Sequence, residues 1–140
     1  MAGSGRSLQP LRTLIDTNVA IELANGEERL VELVASLASA PLLSVISRVE
    51  HEGGVYINPA AQDAHRVRLD VVLARVEEVP FTVVDAVAYA GIVHNCGFSR
   101  RRIVDRMIAA KAIAAGAVLA TLNARDFRGI ADLLMEDWGD

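Results

Sequence analysis

Four acidic residues are spaced along the chain so that a suitable fold would gather them into one metal site: Asp16, Glu50, Asp105 and Asp126. Carboxylates that lie close together raise one another's pKa, so several of them stay ionised only with cations between them. Mg²⁺ and Mn²⁺ prefer oxygen ligands and keep bound waters, one of which can become a nucleophile. The four acids therefore predict metal-dependent hydrolysis of a phosphodiester by one or two ions.

Each of these acids also has a purely structural interpretation. Glu50 stands three residues after Ser47, which matches a Ser-x-x-Glu capping box at the start of a helix. Asp16 and Asp126 are suited to capping helices or turns, and Asp105 is favourable near a helix N-terminus. The joint placement of the four acids, more than any single one, favours the metal site.

The elements that must position the acids follow a βαβ pattern, in which short apolar runs alternate with longer amphipathic segments. We predict strands at 11–15, 42–46, 79–84, 117–120 and near 133–138, and helices at 19–24, 30–38, 47–54, 59–75, 85–95 and 103–115. Asn58 is expected to cap the fourth helix, and Gly116 to close the sixth. Three of the acids follow strands, and Asp105 begins the helix that leads back to the fourth strand. All four are expected at the carboxyl edge of a parallel sheet, where binding sites form.

Composition limits the chain to one compact domain, because 140 residues with 52% hydrophobic content supply one core. We predict a flexible tail over residues 1–10 and one domain over 11–140. The net charge of −4 provides no global basic field, so nucleic-acid contacts must come from local arginines or from metal ions. The single cysteine, Cys96, excludes an internal disulfide and fits a reducing cytoplasm. No secretory signal or membrane span is recognisable, which predicts a soluble, cytoplasmic protein.

Four segments in series resemble the successive motifs of PIN-domain proteins, and most closely those of VapC-type toxins. They are Leu14-Ile15-Asp16-Thr17-Asn18, Ser44-Val45-Ile46-Ser47-Arg48-Val49-Glu50, Ile103-Val104-Asp105-Arg106-Met107-Ile108-Ala109-Ala110 and Ala120-Thr121-Leu122-Asn123-Ala124-Arg125-Asp126-Phe127. The resemblance spans residues 11–138. It implies a three-layer α/β/α sandwich with a mainly parallel central sheet and a homodimer. It also implies a toxic, Mg²⁺-dependent endoribonuclease, with Mn²⁺ as a substitute, that a VapB-like antitoxin neutralises.

The resemblance also assigns roles to individual residues. Asp16, Glu50 and Asp105 match the first three acids of the family, and Asp126 matches a more variable fourth position. Polar residues at matching positions would shape the site and hold water or phosphate, or else cap helices and turns: Thr17, Asn18, Thr121 and Asn123.

Basic residues close to the acids are candidates for contact with RNA. Arg100, Arg101 and Arg102 precede Asp105 and would bind phosphates, although a solvated loop is the alternative. Three further arginines flank the acids and would give the acidic pocket a basic rim: Arg48, Arg106 and Arg125. His51 follows Glu50 and would serve as a proton shuttle, although a position on the helix surface is the favoured interpretation.

Three alternatives to a toxin nuclease remain open at this point. The chain would be a non-catalytic PIN-fold module that only binds a partner, or a housekeeping PIN nuclease without an antitoxin. A phospho-acceptor receiver domain would also place acids at strand ends. That class needs a lysine near a late strand, whereas Lys111 lies within a predicted helix, so it is disfavoured.

Overall fold

The computed structural model describes residues 10–140, so the predicted tail lies outside the described residues except for Pro10. Within these residues, five strands form one sheet in which every pairing is parallel: β1 (Thr13–Ile15), β2 (Leu42–Ser44), β3 (Glu77–Val79), β4 (Val118–Thr121) and β5 (Met135–Asp137). Their spatial order is β3-β2-β1-β4-β5. Strands β2 and β3 are added on one side of β1, and the chain then crosses to the other side of β1, where it adds β4 and β5. A topological switch point, where α/β folds bind ligands, therefore lies between β1 and β4.

In the described part of the chain, six α-helices cover the two faces of the sheet: α1 (Thr17–Ala24), α2 (Glu28–Ala35), α3 (Val45–Val55), α4 (Gln62–Leu73), α5 (Val83–Cys96) and α6 (Ile103–Ala115). Successive strand residues point to opposite faces. Leu14 therefore packs in one core with Ile108 of α6, and Ile15 packs in the other with Val19 of α1 and Val72 of α4. This arrangement confirms the predicted three-layer α/β/α architecture, with a sheet that is entirely rather than mainly parallel.

The register of the two central strands sets the position of the first acid. Ile15 is paired with Ala120, and the Asp16 amide donates to the Ala120 carbonyl at 3.0 Å. Asp16 and Thr121 consequently leave the sheet side by side at its carboxyl edge.

The start of α3 differs from the prediction. Ser44 is the N-cap, and its hydroxyl accepts from the Ile46 amide at 3.0 Å. Ser47 therefore already lies inside the helix, and the proposed capping box between Ser47 and Glu50 is wrong. The helix also continues through Gly53 and Gly54 to Val55, which is buried and so contributes packing that offsets the glycines' low helix propensity.

The third strand lies at Glu77–Val79, earlier in the chain than the predicted strand at 79–84. β3 ends at Val79, and residues 83 and 84 already belong to α5. A capping box starts that helix, since Thr82 and Asp85 cap each other and the Thr82 amide donates to Asp85 Oδ2 at 2.6 Å. This local cap outweighs the β-propensity of the adjacent valines.

The helix ends that depend on Asn, Pro and Gly were predicted well. Asn58 Oδ1 accepts from the Ala60 amide at 3.1 Å, although the chain first forms a 3-10 turn at Pro59–Ala61 before α4 begins. Gly116 ends α6 with a left-handed φ of 63°. Within residues 10–140, no helix combines the length and apolar character that a bilayer crossing requires.

Candidate active site

All four predicted acids line one cavity of about 230 Å³ at the carboxyl edge of the sheet. The residues around it are Asp16, Thr17, Asn18, Ile21, Glu50, Asp105, Asn123 and Asp126. Three of the four predicted polar residues are among them, and the fourth, Thr121, reaches the cavity through Asp16. The fold therefore brings together side chains that are up to 110 positions apart in the sequence.

Asp16 is the most firmly held of the acids. It is 5% exposed and caps α1, with Oδ1 accepting from the Thr17 amide at 2.7 Å. Its Oδ2 accepts from the Thr121 hydroxyl at 2.9 Å. Burial is the main cause that raises the pKa of Asp16, and repulsion from Glu50 and Asp126 adds to it, whereas the hydrogen bonds from Thr121 and Thr17 oppose the rise.

Glu50 is positioned by two hydroxyl groups. The Thr17 hydroxyl donates to Glu50 Oε1 at 2.6 Å, and Ser47 Oγ lies 2.9 Å from the same hydroxyl. Since the single Thr17 proton goes to the carboxylate, Ser47 is the donor to Thr17. Ser47 is buried, and its positioning role was missed in the sequence. The i, i+3 spacing of Ser47 and Glu50, which places both on one helix face, was the available signal.

Asp105 is the acid with the fewest protein contacts. It lies in the first turn of α6, is half-buried, and its carboxylate has no hydrogen-bond partner among residues 10–140. Burial is the largest cause that raises the pKa of Asp105, and repulsion from Asp16 and Asp126 adds to it. Arg102 lowers the pKa. An ionised Asp105 is therefore unfavourable in this cavity without a cation.

Asp126 lies on a 3-10 turn, Ala124–Phe127, that follows β4. Phe127 anchors this turn in the core with 2% of its surface exposed. The Arg102 guanidinium donates to the Asp126 carbonyl at 2.9 Å and lies 3.8 Å from its carboxylate. Arg102 thus ties the start of α6 to the Asp126 turn.

The donor set suits a hard divalent cation. Every charged side chain that lines the cavity is a carboxylate, and the remaining polar groups carry hydroxyl or amide oxygens. Oxygen ligands of this kind are preferred by Mg²⁺ and Mn²⁺, whereas softer metals select nitrogen or sulfur. Across residues 10–140, no three His, Cys, Asp or Glu side chains form a compact ligand group, so the acids surround the cavity instead of meeting at one point.

His51 does not belong to this cavity. It lines a separate pocket between α1, α3 and α4 together with His65 and Arg68. Its Nδ1 is buried without a hydrogen-bond partner in the described part of the chain, and burial lowers its pKa. The placement gives no support to a proton shuttle beside Glu50, and it also differs from a fully exposed helix position.

Two arginines that were expected on the rim of the cavity lie elsewhere. Arg48 pairs with Glu52 at 3.1 Å and with Glu78 at 3.0 Å, on the far side of α3. Arg106 is buried and donates to the Gly97 carbonyl at 2.6 Å. Both side chains are used by the fold, so this part of the predicted basic rim is wrong.

The parallel α/β sandwich with an acid-lined cavity at its switch point defines the structural class of the protein. A family model described as PIN domain matches residues 13–133, and the chain belongs to this family. No match to a curated protein was found by sequence comparison.

Solved structures share the fold over nearly the whole chain. VapBC2 from Rickettsia felis, bound to a promoter DNA fragment, is 24% identical with a TM-score of 0.82, covering 91% of this chain and 99% of that one. DNA-bound VapBC from Salmonella typhimurium is also 24% identical, with a TM-score of 0.80 and coverage of 92% and 99%. FitAcB from Neisseria gonorrhoeae is 25% identical, with a TM-score of 0.69 and coverage of 89% and 96%.

Proposed function

We propose that the protein is a metal-dependent endoribonuclease and the toxin of a VapBC-type toxin–antitoxin pair. The observation that carries the nuclease is the convergence of Asp16, Glu50, Asp105 and Asp126 on one cavity. Membership of the PIN domain family supports it, and so does the similarity to proteins solved as VapBC complexes. A housekeeping nuclease would share the cavity, so the toxin role depends on the similarity alone.

The four carboxylates would hold Mg²⁺, with Mn²⁺ as a substitute. A bound ion of this kind supplies a water of lowered pKa and neutralises charge on the phosphodiester. The protein contributes orientation: Thr121 fixes Asp16, and Thr17 with Ser47 fixes Glu50. Asp105 and Asp126 have no such hydroxyl donors among the described residues. Asp105 is free to turn toward a cation, whereas the Asp126 carboxylate lies 3.8 Å from the Arg102 guanidinium.

RNA would approach this acidic cavity through local positive charge, since the chain as a whole has a net charge of −4. Arg100 and Arg101 are exposed and form no ion pair within residues 10–140, so they are available to phosphates. Arg102 already contacts the Asp126 carbonyl and would act mainly by fixing that turn. Asn18 and Asn123 line the cavity and would hydrogen-bond water or phosphate there.

Exposed apolar surface supports partners for this protein. Tyr56 and Ile57 before α4, and Val67 and Val71 on it, are between 45% and 82% exposed. A second group on α5, Val83, Val84 and Val87, is between 65% and 80% exposed. Such surface is usually covered by a partner. We propose that a VapB-like antitoxin and a second copy of the chain cover these two apolar groups, and that the protein acts in the cytoplasm.

The test of the nuclease replaces a single carboxylate. Asp16→Asn and Asp105→Asn are each expected to abolish Mg²⁺-dependent cleavage of a labelled RNA and to relieve growth arrest on expression. Asp132→Asn is the matched control, because Asp132 is exposed and its left-handed φ of 67° is tolerated by Asn. Cleavage retained by either cavity variant would refute the proposal. Calorimetric titration with Mn²⁺ separates it from a non-catalytic module, which has no reason to bind the ion.

The toxin role has its own test. Co-expression of the product of the neighbouring short gene should restore growth and inhibit cleavage in vitro. Growth arrest that no neighbouring gene relieves, or cleavage without arrest, would indicate a housekeeping nuclease.

A further inference from the structure

A wide polar groove opens beside the acid-lined cavity, on the side of β4 and β5. Its volume is about 500 Å³, and its polar lining consists of Asn123, Arg125, Asp126, Arg128 and Asp137. Asn123 and Asp126 line both the groove and the cavity. A molecule that crosses the cavity can therefore continue directly into the groove.

Two positive charges in this groove form no ion pair with the described residues. Arg125 and Arg128 are exposed, and neither forms an ion pair or a side-chain hydrogen bond with any residue from 10 to 140. The groove also contains Asp137, whose carboxylate accepts from the Gly139 amide at 2.8 Å. Arginines on the other side of the molecule, such as Arg48, are paired with glutamates. The groove thus carries two arginines that are not paired with its own carboxylates, Asp126 and Asp137, next to the acidic cavity.

The backbone that carries both arginines is fixed from several directions. Phe127, which lies between them, is buried in the core. The Asp126 amide donates to the Asn123 carbonyl at 2.9 Å, and Arg102 donates to the Asp126 carbonyl at 2.9 Å. Anchored residues lose little conformational entropy on binding, so charges on this turn are well placed to hold a ligand.

We propose that this groove binds the RNA backbone next to the bond that is cut, with Arg125 and Arg128 each contacting a phosphate. The inference rests on the proposed ribonuclease function. Arginine forks match phosphate geometry, and phosphate contacts position a nucleic acid without reading its sequence. The polar lining favours a sugar–phosphate backbone over a peptide, which would bring apolar side chains that find few partners here. Asn123, at the junction, would contact the strand as it enters the cavity.

This assignment differs from the one suggested by the run of three arginines at 100–102. Arg100 and Arg101 line neither the cavity nor the groove. Their contribution to RNA binding is therefore expected to be smaller than that of Arg125 and Arg128.

The experiment measures binding separately from cleavage. An Asp16→Asn background prevents turnover, and fluorescence anisotropy of a labelled single-stranded RNA is recorded between 50 and 300 mM NaCl at a fixed Mg²⁺ concentration. The test variant adds Arg125→Gln and Arg128→Gln. The control adds Arg68→Gln and Arg75→Gln, which remove the same charge from exposed arginines on α4 and just after it that form no ion pair within the described chain.

The groove variant should lose about 1.4 from the slope of log K against log salt, since each phosphate contact on a single strand contributes about 0.7. Its affinity at 100 mM NaCl should fall by about tenfold or more, and lysine at both positions should restore most of the slope. The control should change neither quantity measurably beyond its effect on net charge.

The possible outcomes separate the two proposals. An unchanged slope in the groove variant, with the Asp16→Asn background still binding RNA, would overturn the groove assignment and leave the nuclease intact. Failure of that background and of the wild-type chain to bind any RNA would refute the ribonuclease itself. Loss of antitoxin binding with unaltered RNA binding would assign the groove to the peptide partner, and so would also overturn the inference.

Discussion

Asp105→Asn is expected to make the metal-free protein more stable while it removes one ligand of the proposed metal site. The Asp105 carboxylate is half-buried, lacks a hydrogen-bond partner among residues 10–140, and faces the charges of Asp16 and Asp126. Its pKa is raised above that of the unfolded chain by burial and then by these two charges. An ionised Asp105 therefore opposes folding at neutral pH. Asparagine has nearly the same size and carries no charge, so the replacement removes this cost without creating a cavity.

The size of the effect follows from the degree of burial. Solvent screens the charge of a half-buried group, so its unfavourable interactions are worth on the order of 0.5–1 kcal/mol. We expect Asp105→Asn to increase the free energy of unfolding by about 0.5–1 kcal/mol, which raises Tm by about 2–5 °C in a domain of this length. With Mg²⁺ present, we expect the wild type to be more stable than Asp105→Asn, because an ion at ten times its Kd stabilises the wild type by about 1.4 kcal/mol.

The pH dependence of this difference has a defined sign. Because the folded state holds the Asp105 proton more tightly than the unfolded state, the cost is fully present above the folded pKa. This free-energy cost disappears as the pH falls from above the pKa of Asp105 in the folded state to below its pKa in the unfolded state. The advantage of the variant should consequently be largest at neutral pH and shrink on acidification.

Thermal melting followed by circular dichroism tests these expectations, in EDTA and in Mg²⁺, at several pH values. Asp132→Asn again serves as the control and should leave Tm unchanged under every condition. A variant less stable than the wild type in EDTA at neutral pH would refute the reasoning, as would equal stabilisation of both proteins by Mg²⁺.

Three further substitutions test how the structure supports the site. Thr121→Val keeps the side-chain shape but removes the donor to buried Asp16; it should cost about 1–3 kcal/mol and raise the pKa of Asp16 further, moving the acid limb of the pH profile for RNA cleavage to higher pH. An unmoved acid limb would contradict that role. Lys111→Met should lower the free energy of unfolding in urea by about 3 kcal/mol, because Asp85, which is 1% exposed, loses the ammonium group 3.3 Å from its carboxylate. A decrease below about 1 kcal/mol would show that the ion pair is dispensable. In Gly116→Ala the added methyl group would have no close neighbour, but alanine is strained at the left-handed φ of 63°. The free energy of unfolding should therefore fall by about 1 kcal/mol. An unchanged Tm would show that the helix end relaxes to another conformation.

Several parts of the fold were predictable because their signals are local. The helix over 30–38 follows from the i, i+3, i+4, i+7 spacing of its apolar residues, although it runs from Glu28 to Ala35 in the structure. The end of α6 follows from the conformational freedom of Gly116. The βαβ order and the parallel sheet follow from apolar runs that alternate with amphipathic segments, whereas the three layers were implied by the family resemblance. The same local reasoning failed at 79–84, where valines suggested a strand and the Thr82–Asp85 cap produced a helix.

The sequence by itself determined which residue types stand at the strand exits, and hence that carboxylates, not histidines or cysteines, are the candidates for the chemistry. It could not determine which neighbours hold them, because such contacts join distant segments. The Ser-x-x-Glu spacing suggests a helix cap at Ser47, whereas the helix begins at Val45, so Ser47 lies inside it and contacts Thr17, which in turn contacts Glu50. Contacts between distant segments also determine where the arginine side chains lie.

Only the tertiary structure separated the arginines used for folding from those left free. Arg48 and Arg106 lie within two residues of acids in the sequence, yet both are bound to other parts of the protein. Arg125 and Arg128 remain unpaired among residues 10–140, beside the cavity. Sequence proximity fixes which charges are near one another along the backbone, whereas packing against the sheet decides which face each side chain occupies and which partners it meets.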